Sequence, residues 1–236
     1  MKNAIVLCSG GLDSVVTANY LKKSIGYNNI KMLFFDYGQK TLLQERKASK
    51  YCANKINAKF IEIKLKWLSE ISNSLINKSE KVKAKKLSRK DLKDTKEESD
   101  KYYVPCRNTI FLVNALALAE SLYIKSGKKE INDIFVGFKC EGKESYQDTT
   151  QEFVDEINRL SKISCNKPFK ILAPLINKDK EDIVLLGKKL NVKMEKTWSC
   201  YIGSKSGKQC GRCLACMLRK EGFHWADVKD KTKYES

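Results

Sequence analysis

The chain of 236 residues is 42% hydrophobic and 31% charged, and it is long enough for one well-buried domain with a small appendix. This composition excludes a chain that is disordered throughout, and the lack of any repeat period excludes collagen-like and repeat architectures. The formal net charge of +18 permits an acidic partner such as nucleic acid, but the basic residues are spread along the chain, which favours lysines that are simply solvated.

The first sixty residues alternate between predicted strands and predicted helices. Short apolar runs predict strands at residues 4–8, 30–35 and 60–63. Apolar residues at helical spacing predict helices over residues 14–23 and 42–56. Strands that alternate with helices of this length are typical of βαβ units around a parallel sheet, so we expect an α/β fold.

The pattern stops at residues 78–101, which hold ten basic and six acidic residues and little to bury. We predict a charged surface insertion or a solvated helix there. Beyond it, the pattern predicts helices over residues 108–124, 151–161 and 179–190, and strands over residues 133–137 and 169–172. The segment from residue 197 shows little periodicity, so we divide the chain into a main domain, 1–196, and a C-terminal segment, 197–236.

The apolar content indicates neither a membrane span nor export. The longest apolar stretch, residues 110–124, is interrupted by Asn114 and Glu120, and it predicts a buried helix. A strand-like run follows Met1 almost at once, which leaves no room for a secretory signal, so we expect a cytoplasmic protein with reduced thiols. Five scattered cysteines are then expected to be small buried residues: Cys8, Cys52, Cys106, Cys140 and Cys165.

The strongest local signal is the run SGGLDS at residues 9–14, here called the SGGLDS loop, between the first strand and the first helix. Its glycines allow positive φ and close approach of a ligand, and its N–H groups at a helix N-terminus favour an anion. Asp13 suits a polyphosphate only with a divalent cation between them, which makes it a candidate Mg²⁺ ligand. The run matches neither the GxxxxGK[ST] nor the GxGxxG pattern, and the alternative is an ordinary glycine turn with a serine cap.

Four cysteines lie within seventeen residues near the C-terminus, with the spacing Cys200-x9-Cys210-x2-Cys213-x2-Cys216. Tetrahedral zinc prefers four thiolates, and CxxC turns supply adjacent pairs of them. Four thiolates leave no open coordination position, so a metal there would be structural and would fold this segment onto the domain. An iron–sulfur cluster and free thiols remain the alternatives.

Taken together, the motifs resemble those of a known family. The SGGLDS loop is similar to the signature of PP-loop ATP pyrophosphatases, which adenylate a substrate and release pyrophosphate. Further runs, in order and over nearly the whole chain, resemble the 7-cyano-7-deazaguanine (preQ0) synthase family of queuosine biosynthesis. These runs are FDYGQ at residues 35–39, VPCRN at 104–108, Gly137, YQD at 146–148, TWSCY at 197–201 and CGRCLAC at 210–216.

The resemblance implies a Rossmann-like PP-loop domain over residues 1–196 and a structural zinc ion on the four cysteines of the C-terminal segment. It implies nucleotide contacts from Cys8, Ser9, Gly10, Gly11, Leu12, Asp13, Ser14, Asp36, Gln39 and Gly137. It implies substrate contacts from Tyr37, Arg107, Asn108, Tyr146 and Asp148. Asp13, Arg107 and Lys180 are the implied catalytic residues, although Arg107 and Lys180 could each be an ordinary solvated side chain and Asp148 an ordinary helix-terminal one.

The implied reaction is an ATP-dependent C–N ligation. The carboxylate of 7-carboxy-7-deazaguanine would be adenylated on ATP·Mg²⁺, ammonia would displace AMP, and a second activation would dehydrate the amide to the nitrile. Such a reaction needs charge neutralisation and positioning but no activated protein nucleophile, which fits a chain whose only histidine, His224, is expected to be structural or on the surface. The resemblance also implies a homodimer.

Two departures from the family pattern keep other functions open. Thr41 replaces the histidine of DYGQxH, and residues 146–150 read YQDTT where the family has YPDCR, so that Gln147, Thr149 and Thr150 differ. Both departures lie near the expected substrate site. A diverged relative could stop at the amide or couple the deazaguanine carboxylate to an amine of a partner protein. A PP-loop enzyme that modifies tRNA is the remaining alternative, built on the basic insertion.

Overall fold

The computed structural model describes residues 2–77, 87, 92, 95–139, 146–204 and 206–235. Within these residues, five parallel strands form one sheet in the order β3-β2-β1-β4-β5. Val6 of the central strand pairs with Met32 on one side and with Phe135 on the other. The strands are β1 (Asn3–Leu7), β2 (Asn29–Asp36), β3 (Lys59–Lys64), β4 (Asn132–Phe135) and β5 (Ile171–Leu172).

Helices connect the strands and cover both faces of the sheet. Two of them begin with side-chain caps, since Thr150 accepts a hydrogen bond from the Phe153 amide and Asp179 accepts one from the Asp182 amide. The helices are α1 (Leu12–Tyr20), α2 (Leu42–Lys55), α3 (Trp67–Ile71), α4 (Lys96–Asp100), α5 (Arg107–Lys125), α6 (Gln151–Ser164), α7 (Lys180–Lys189) and α8 (Leu214–Trp225). A π-helical turn (Leu21–Ile25) continues α1, and 3-10 turns cover Gln147–Thr149 and Met194–Lys196.

The core follows from strand alternation. Ile5 and Leu33 point to one face of the sheet, where they join a cluster with α5 and α6. Val6 and Met32 point to the other face, where they join a cluster with α1 and α2. A third cluster joins α1, α7 and α8. Because β1 has β2 on one side and β4 on the other, the direction of chain crossover reverses at its carboxyl end, where α/β sheets bind ligands.

The predicted parallel α/β fold is confirmed. All five predicted strands and all five predicted helices are present, with ends shifted by a few residues. Helix α8 was missed because its buried face includes Arg219 and Gly222, which break the apolar periodicity expected of a helix. The short helix α3 was missed as well, whereas α4 lies within residues 78–101, where a solvated helix was one of the two predictions.

Two expectations from composition need correction. The predicted surface insertion at residues 78–101 lies mostly outside the described residues, but Leu87 and Ser99 within it are buried. Of the scattered cysteines, Cys8 and Cys52 are buried, Cys106 is exposed and Cys165 is partly exposed, while Cys140 lies outside the described residues. Among the helices that the structure describes, none combines the length and the apolar character that crossing a membrane requires.

Candidate active site

A cavity of about 670 Å³ opens where β1, β2 and β4 end. Its wall includes the residues that follow these strands, among them Ser9, Tyr37 and Gly137. Helices α5, α7 and α8 contribute Arg107, Lys180 and neighbouring residues. A volume of this size is typical of sites for small molecules and cofactors. The position and the size together mark this cavity as the candidate active site.

The SGGLDS loop is fixed from behind by α2 and by the segment that precedes the cysteine cluster. Gly10 has φ +82°, and a Cβ on it would lie 2.5 Å from the carbonyl oxygen of Glu45. The Ser49 hydroxyl donates a hydrogen bond to the Cys8 carbonyl at 3.0 Å. The Trp198 amide donates one to the Gly10 carbonyl at 2.8 Å. Only glycine fits at position 10, and the loop is held rigidly at the helix N-terminus, where it could bind phosphate.

Asp13 and Lys180 form an ion pair beside the SGGLDS loop. The Lys180 ammonium group donates to both carboxylate oxygens of Asp13, at 2.7 and 2.8 Å. A Cβ on Gly222 of α8 would lie 2.2 Å from Cγ of Lys180, so only glycine at position 222 leaves room for the lysine side chain. The pair places one carboxylate that could bind a divalent cation and one ammonium that could bind phosphate at the same edge of the cavity.

The opposite side of the cavity is here called the Arg107 wall, which consists of Tyr37, Arg107, Asn108, Phe111 and Tyr146. The Arg107 guanidinium lies over the Tyr37 ring, 5.8 Å from its centroid, and its Nε donates to Asn108 Oδ1 at 3.3 Å. Burial raises the pKa of Tyr37 to about 12, although Arg107 opposes the shift, so the phenol stays neutral. Arginine at this position could bind a carboxylate through two hydrogen bonds.

Asp148 lies behind this wall. It lines a small neighbouring void with Tyr146, Arg107 and Tyr201 and does not line the main cavity. Burial raises the pKa of the Asp148 carboxyl group, and Arg107 partly offsets the shift. The Asn108 side chain donates to the Asp148 carbonyl at 3.2 Å, so the two predicted substrate residues also support each other.

The structure brings most of the predicted site residues to one cavity. Those that line it are Cys8, Ser9, Gly11, Leu12, Asp13, Ser14, Tyr37, Gln39, Arg107, Asn108, Gly137, Tyr146 and Lys180. Gly10, Asp36 and Asp148 do not line it. Gly10 lies against α2, and Asp36 is buried, where it accepts a hydrogen bond from the Gly38 amide at 3.3 Å and lies 3.6 Å from the Arg46 guanidinium.

Sequence reasoning missed Glu45, a carboxylate on the cavity wall. It stands on the first turn of α2, six residues beyond Gln39, and the signal was its helical spacing of four residues from Thr41. The Thr41 hydroxyl donates to Glu45 at 2.6 Å and also lies 3.4 Å from the Cys200 carbonyl. The first departure from the family pattern therefore contacts Glu45 directly.

The second departure serves local structure. Thr150 caps α6, and the Thr149 hydroxyl donates to the Tyr146 carbonyl at 2.8 Å. Gln147 is exposed. The Tyr146 hydroxyl donates to the Ser99 carbonyl at 2.8 Å, so the hydroxyl of this wall residue is engaged by α4.

The four clustered cysteines are buried, and their sulfur atoms all lie within 4.8 Å of one another. The Sγ atoms of Cys210 and Cys216 are 3.9 Å apart, and so are those of Cys200 and Cys213. Four sulfur atoms around a tetrahedral ion, at bonds of about 2.3 Å, are separated by about 3.8 Å. Hydrogen bonds from the neighbouring thiols, from Cys200 first, lower the pKa of Cys210. The cluster can hold one metal ion.

Arg219 connects this cluster to the SGGLDS loop. Its guanidinium is buried and donates to Thr197 Oγ1 at 2.6 Å and to the Met194 carbonyl at 2.9 Å, and it pairs with Asp230 at 3.2 Å. These bonds hold the segment whose next residue, Trp198, binds the Gly10 carbonyl. Arg219, on the same helix as Cys216, therefore fixes the segment that lies between the SGGLDS loop and the cysteine cluster.

The family model described as "Queuosine biosynthesis protein QueC" matches residues 3–227. The chain belongs to the QueC family. A 7-cyano-7-deazaguanine synthase of Methanosphaera stadtmanae is 36% identical over 98% of both chains, and one of Nitratiruptor sp. is 38% identical over 99% of both. One of Campylobacter jejuni subsp. doylei is 36% identical over 100% of this chain and 99% of its own.

These relatives confirm the resemblance found in the motifs. They extend it over nearly the whole of this QueC family chain. Among solved structures, an NMN synthetase from Francisella tularensis is similar at TM-score 0.41 and 13% identity, over 98% of this chain and 79% of that chain. That likeness is too weak to bear on function.

Proposed function

We propose that this chain uses ATP to convert 7-carboxy-7-deazaguanine and ammonia into 7-cyano-7-deazaguanine. The observation that carries the proposal is a single cavity with the SGGLDS loop and Lys180 on one side and the Arg107 wall on the other. An adenylation needs these two walls, since one must hold the phosphates and the other the carboxylate. The full-length relatives named 7-cyano-7-deazaguanine synthase supply the identity of the substrate class.

In the first half-reaction, the carboxylate of the deazaguanine attacks the α-phosphorus of ATP and pyrophosphate leaves. The loop amides and Lys180 bind the phosphates, and Arg107 orients the attacking carboxylate. The carboxylate of Asp13 fits a Mg²⁺ ion because it faces the phosphate side of the cavity, and that ion would neutralise charge on the polyphosphate. No protein nucleophile is required, and the exposed His224 takes no part.

In the second half-reaction, ammonia attacks the acyl carbon and AMP leaves, which gives the amide. The amide oxygen then attacks the α-phosphorus of a second ATP, and pyrophosphate leaves. Loss of both protons from nitrogen and cleavage of the C–O bond release AMP and the nitrile. Each nitrile therefore consumes two ATP, and the SGGLDS loop serves both activations.

The metal on the four cysteines is, we propose, zinc in a structural role. The sulfur separations fit a tetrahedral thiolate site, which leaves no open position for a substrate. We expect about one zinc ion per purified chain by plasma mass spectrometry, a value typical of such a site. Cys213→Ser should lose the metal and unfold at a lower temperature, whereas Cys165→Ser, outside the cluster, should keep the zinc content.

Ammonia is the acceptor that fits the nitrile in the relatives' name, and nothing among the described residues favours an amine of a partner protein or a tRNA base. The homodimer implied by the resemblance stays a prediction, which light scattering of the purified chain would check.

The test of the proposed function is a product analysis. We would incubate the purified protein with 7-carboxy-7-deazaguanine, ATP, Mg²⁺ and ammonium, and follow bases and nucleotides by mass spectrometry. The proposal predicts 7-cyano-7-deazaguanine with AMP and pyrophosphate. Accumulation of the amide without nitrile would mean that the chain stops after the first activation, and no consumption of ATP would contradict the substrate assignment.

A further inference from the structure

Glu45 is a carboxylate on the cavity wall to which the proposed reaction gives no role. Its two oxygens each accept one hydrogen bond, Oε1 from Thr41 at 2.6 Å and Oε2 from the Gln39 side chain at 3.1 Å. The Gln39 side chain in turn donates to the Phe35 carbonyl and accepts from the Tyr37 amide, both at 2.9 Å. The carboxylate is therefore held in one orientation at the end of β2.

The position of Glu45 is between the two walls. Its carbonyl oxygen packs against Gly10, so its side chain starts at the SGGLDS loop. Its carboxylate accepts from the Gln39 side chain, which itself accepts from the Tyr37 amide, so it ends near the Arg107 wall. In an acyl-adenylate, the reacting carbon lies between the α-phosphate and the deazaguanine ring. Glu45 thus stands beside the part of the cavity where that carbon must lie.

The carboxylate retains capacity for a further donor. An ionised carboxylate offers about four lone-pair positions, and Thr41 and Gln39 use two of them. Burial raises the pKa of Glu45, although the hydrogen bonds from Thr41 and Gln39 and the charge of Arg107 oppose the shift. A carboxylate with a raised pKa is a stronger proton acceptor than one in water.

We propose that Glu45 binds the ammonium ion that is the nitrogen donor and accepts one proton from it. The inference rests on the proposed function, since it concerns the acceptor step of that reaction. The N–H bond of ammonium breaks and its proton passes to the carboxylate, which leaves the lone pair of ammonia free. That lone pair forms the C–N bond with the acyl carbon, the C–O bond to AMP breaks, and the second proton leaves nitrogen for the departing phosphate or water.

The groups around Glu45 fit this role. Arg107 from α5 is a positive charge that acts on it, and this charge would be paired with the substrate carboxylate before ammonium enters. Tyr37 stays neutral because burial raises its pKa to about 12. Thr41 and Gln39 are uncharged donors, so Glu45 is the anion of this network and the natural partner of a small cation.

The test separates activation from capture of the amine. Exchange of labelled pyrophosphate into ATP, dependent on 7-carboxy-7-deazaguanine, requires no ammonium. We expect Glu45→Gln, which keeps the shape and removes the charge, to leave this exchange within about threefold of the wild type and to lower turnover with ammonium about 100-fold or more, the size typical of a lost general base. Hydroxylamine, which is largely uncharged at neutral pH, should form the hydroxamate at nearly the wild-type rate.

Two control variants accompany the test. Glu70→Gln, at an exposed carboxylate of α3, should change none of these rates. Glu45→Asp keeps a carboxylate and should retain the exchange with a partial loss of ammonium turnover, so it serves if the glutamine variant fails to fold.

Three results would overturn the role of Glu45: loss of exchange in both Glu45 variants, equal loss with hydroxylamine and ammonium, or a raised KM for the deazaguanine with an unchanged KM for ammonium. Absence of exchange in the wild type would instead refute the proposed function itself.

Discussion

The two walls of the cavity are built in different ways. The SGGLDS loop is six consecutive residues held in place by α2 and by the Trp198 amide, and we expect it to bind through its backbone N–H groups. The Arg107 wall gathers side chains from the end of β2, the start of α5 and the turn before α6, which are up to about a hundred residues apart. One wall is local and depends on the backbone, whereas the other depends on tertiary packing and on side-chain chemistry.

This difference explains where the sequence departs from its family pattern. The loop matches the family pattern, and Gly10 within it leaves no room for a Cβ. The substitutions Thr41 and Thr150 lie next to the Arg107 wall, where they are accommodated by a hydrogen bond to Glu45 and by a helix cap. We therefore expect mutations at the SGGLDS loop to abolish activation. Mutations at or near the Arg107 wall should cause smaller, graded changes in substrate affinity or stability.

The largest effect is expected from Gly10→Ala. A Cβ there would collide with the Glu45 carbonyl at 2.5 Å and with the Ala48 side chain at 2.8 Å, and the residue would keep a φ of +82°. The collision and the strain together should lower the free energy of unfolding by about 3 kcal/mol and abolish pyrophosphate exchange. Gly26→Ala is the matched control, because Gly26 has φ +85° and nothing within 4 Å. It should cost about 1–2 kcal/mol of stability, measured by urea unfolding, with exchange retained.

Lys180→Met should come next. Removal of the ammonium that pairs with Asp13 leaves developing phosphate charge without its partner, so we expect exchange to fall about 10²–10³-fold with little change in melting temperature. Lys188→Met, at an exposed position of the same helix, should be neutral. Equal effects of the two lysines would show that Lys180 acts only through the general charge of the helix.

Arg107→Lys should have a moderate effect on the other wall. Lysine keeps the charge and loses the two-pronged geometry, which should raise the KM for 7-carboxy-7-deazaguanine roughly tenfold to a hundredfold and leave the KM for ATP unchanged. Arg159→Lys, whose side chain is 72% exposed, provides the control. A matching rise in the KM for ATP would place Arg107 on the phosphates and would remove the distinction between the walls.

The smallest effect is expected from Thr150→Ala, which deletes the cap of α6. The free energy of unfolding should fall by about 1 kcal/mol, equivalent to a melting temperature lower by about 2–4 °C, and activity at 25 °C should persist. The neighbouring Gln147→Ala, at an exposed position, should change stability by less than about 0.5 kcal/mol. A large loss of activity in Thr150→Ala would show that this departure touches the substrate.

The sequence predicted the fold and the loop because both are encoded locally. The strands are continuous apolar runs, and the loop and cysteine cluster are spacings that can be read directly. Helix α8 was not predicted because a buried arginine interrupts its apolar face. The hydrogen-bond partners of that arginine, such as Thr197 and Asp230, lie outside the helix. Glu45 was not predicted as a site residue for a similar reason, since its position against Gly10 depends on how α2 packs on the loop.

Asp36 shows a second limit of prediction from the sequence, which concerns the contacts of a single side chain. The resemblance implied a nucleotide contact for Asp36, which stays a prediction, and its carboxylate accepts from the Gly38 amide and lies near Arg46. A sequence position at a strand end fixes the edge of the sheet on which a residue lies, and does not decide which neighbour its side chain selects.

The most direct measurement follows the oxygen atoms of the substrate. With both oxygens of the 7-carboxylate labelled with oxygen-18, attack of the carboxylate on the α-phosphorus transfers one label to AMP in each activation. We expect singly labelled AMP, two molecules for each nitrile, and unlabelled pyrophosphate, by mass spectrometry. Label in the pyrophosphate, or label released to water with unlabelled AMP, would contradict adenylation of the carboxylate between the two walls.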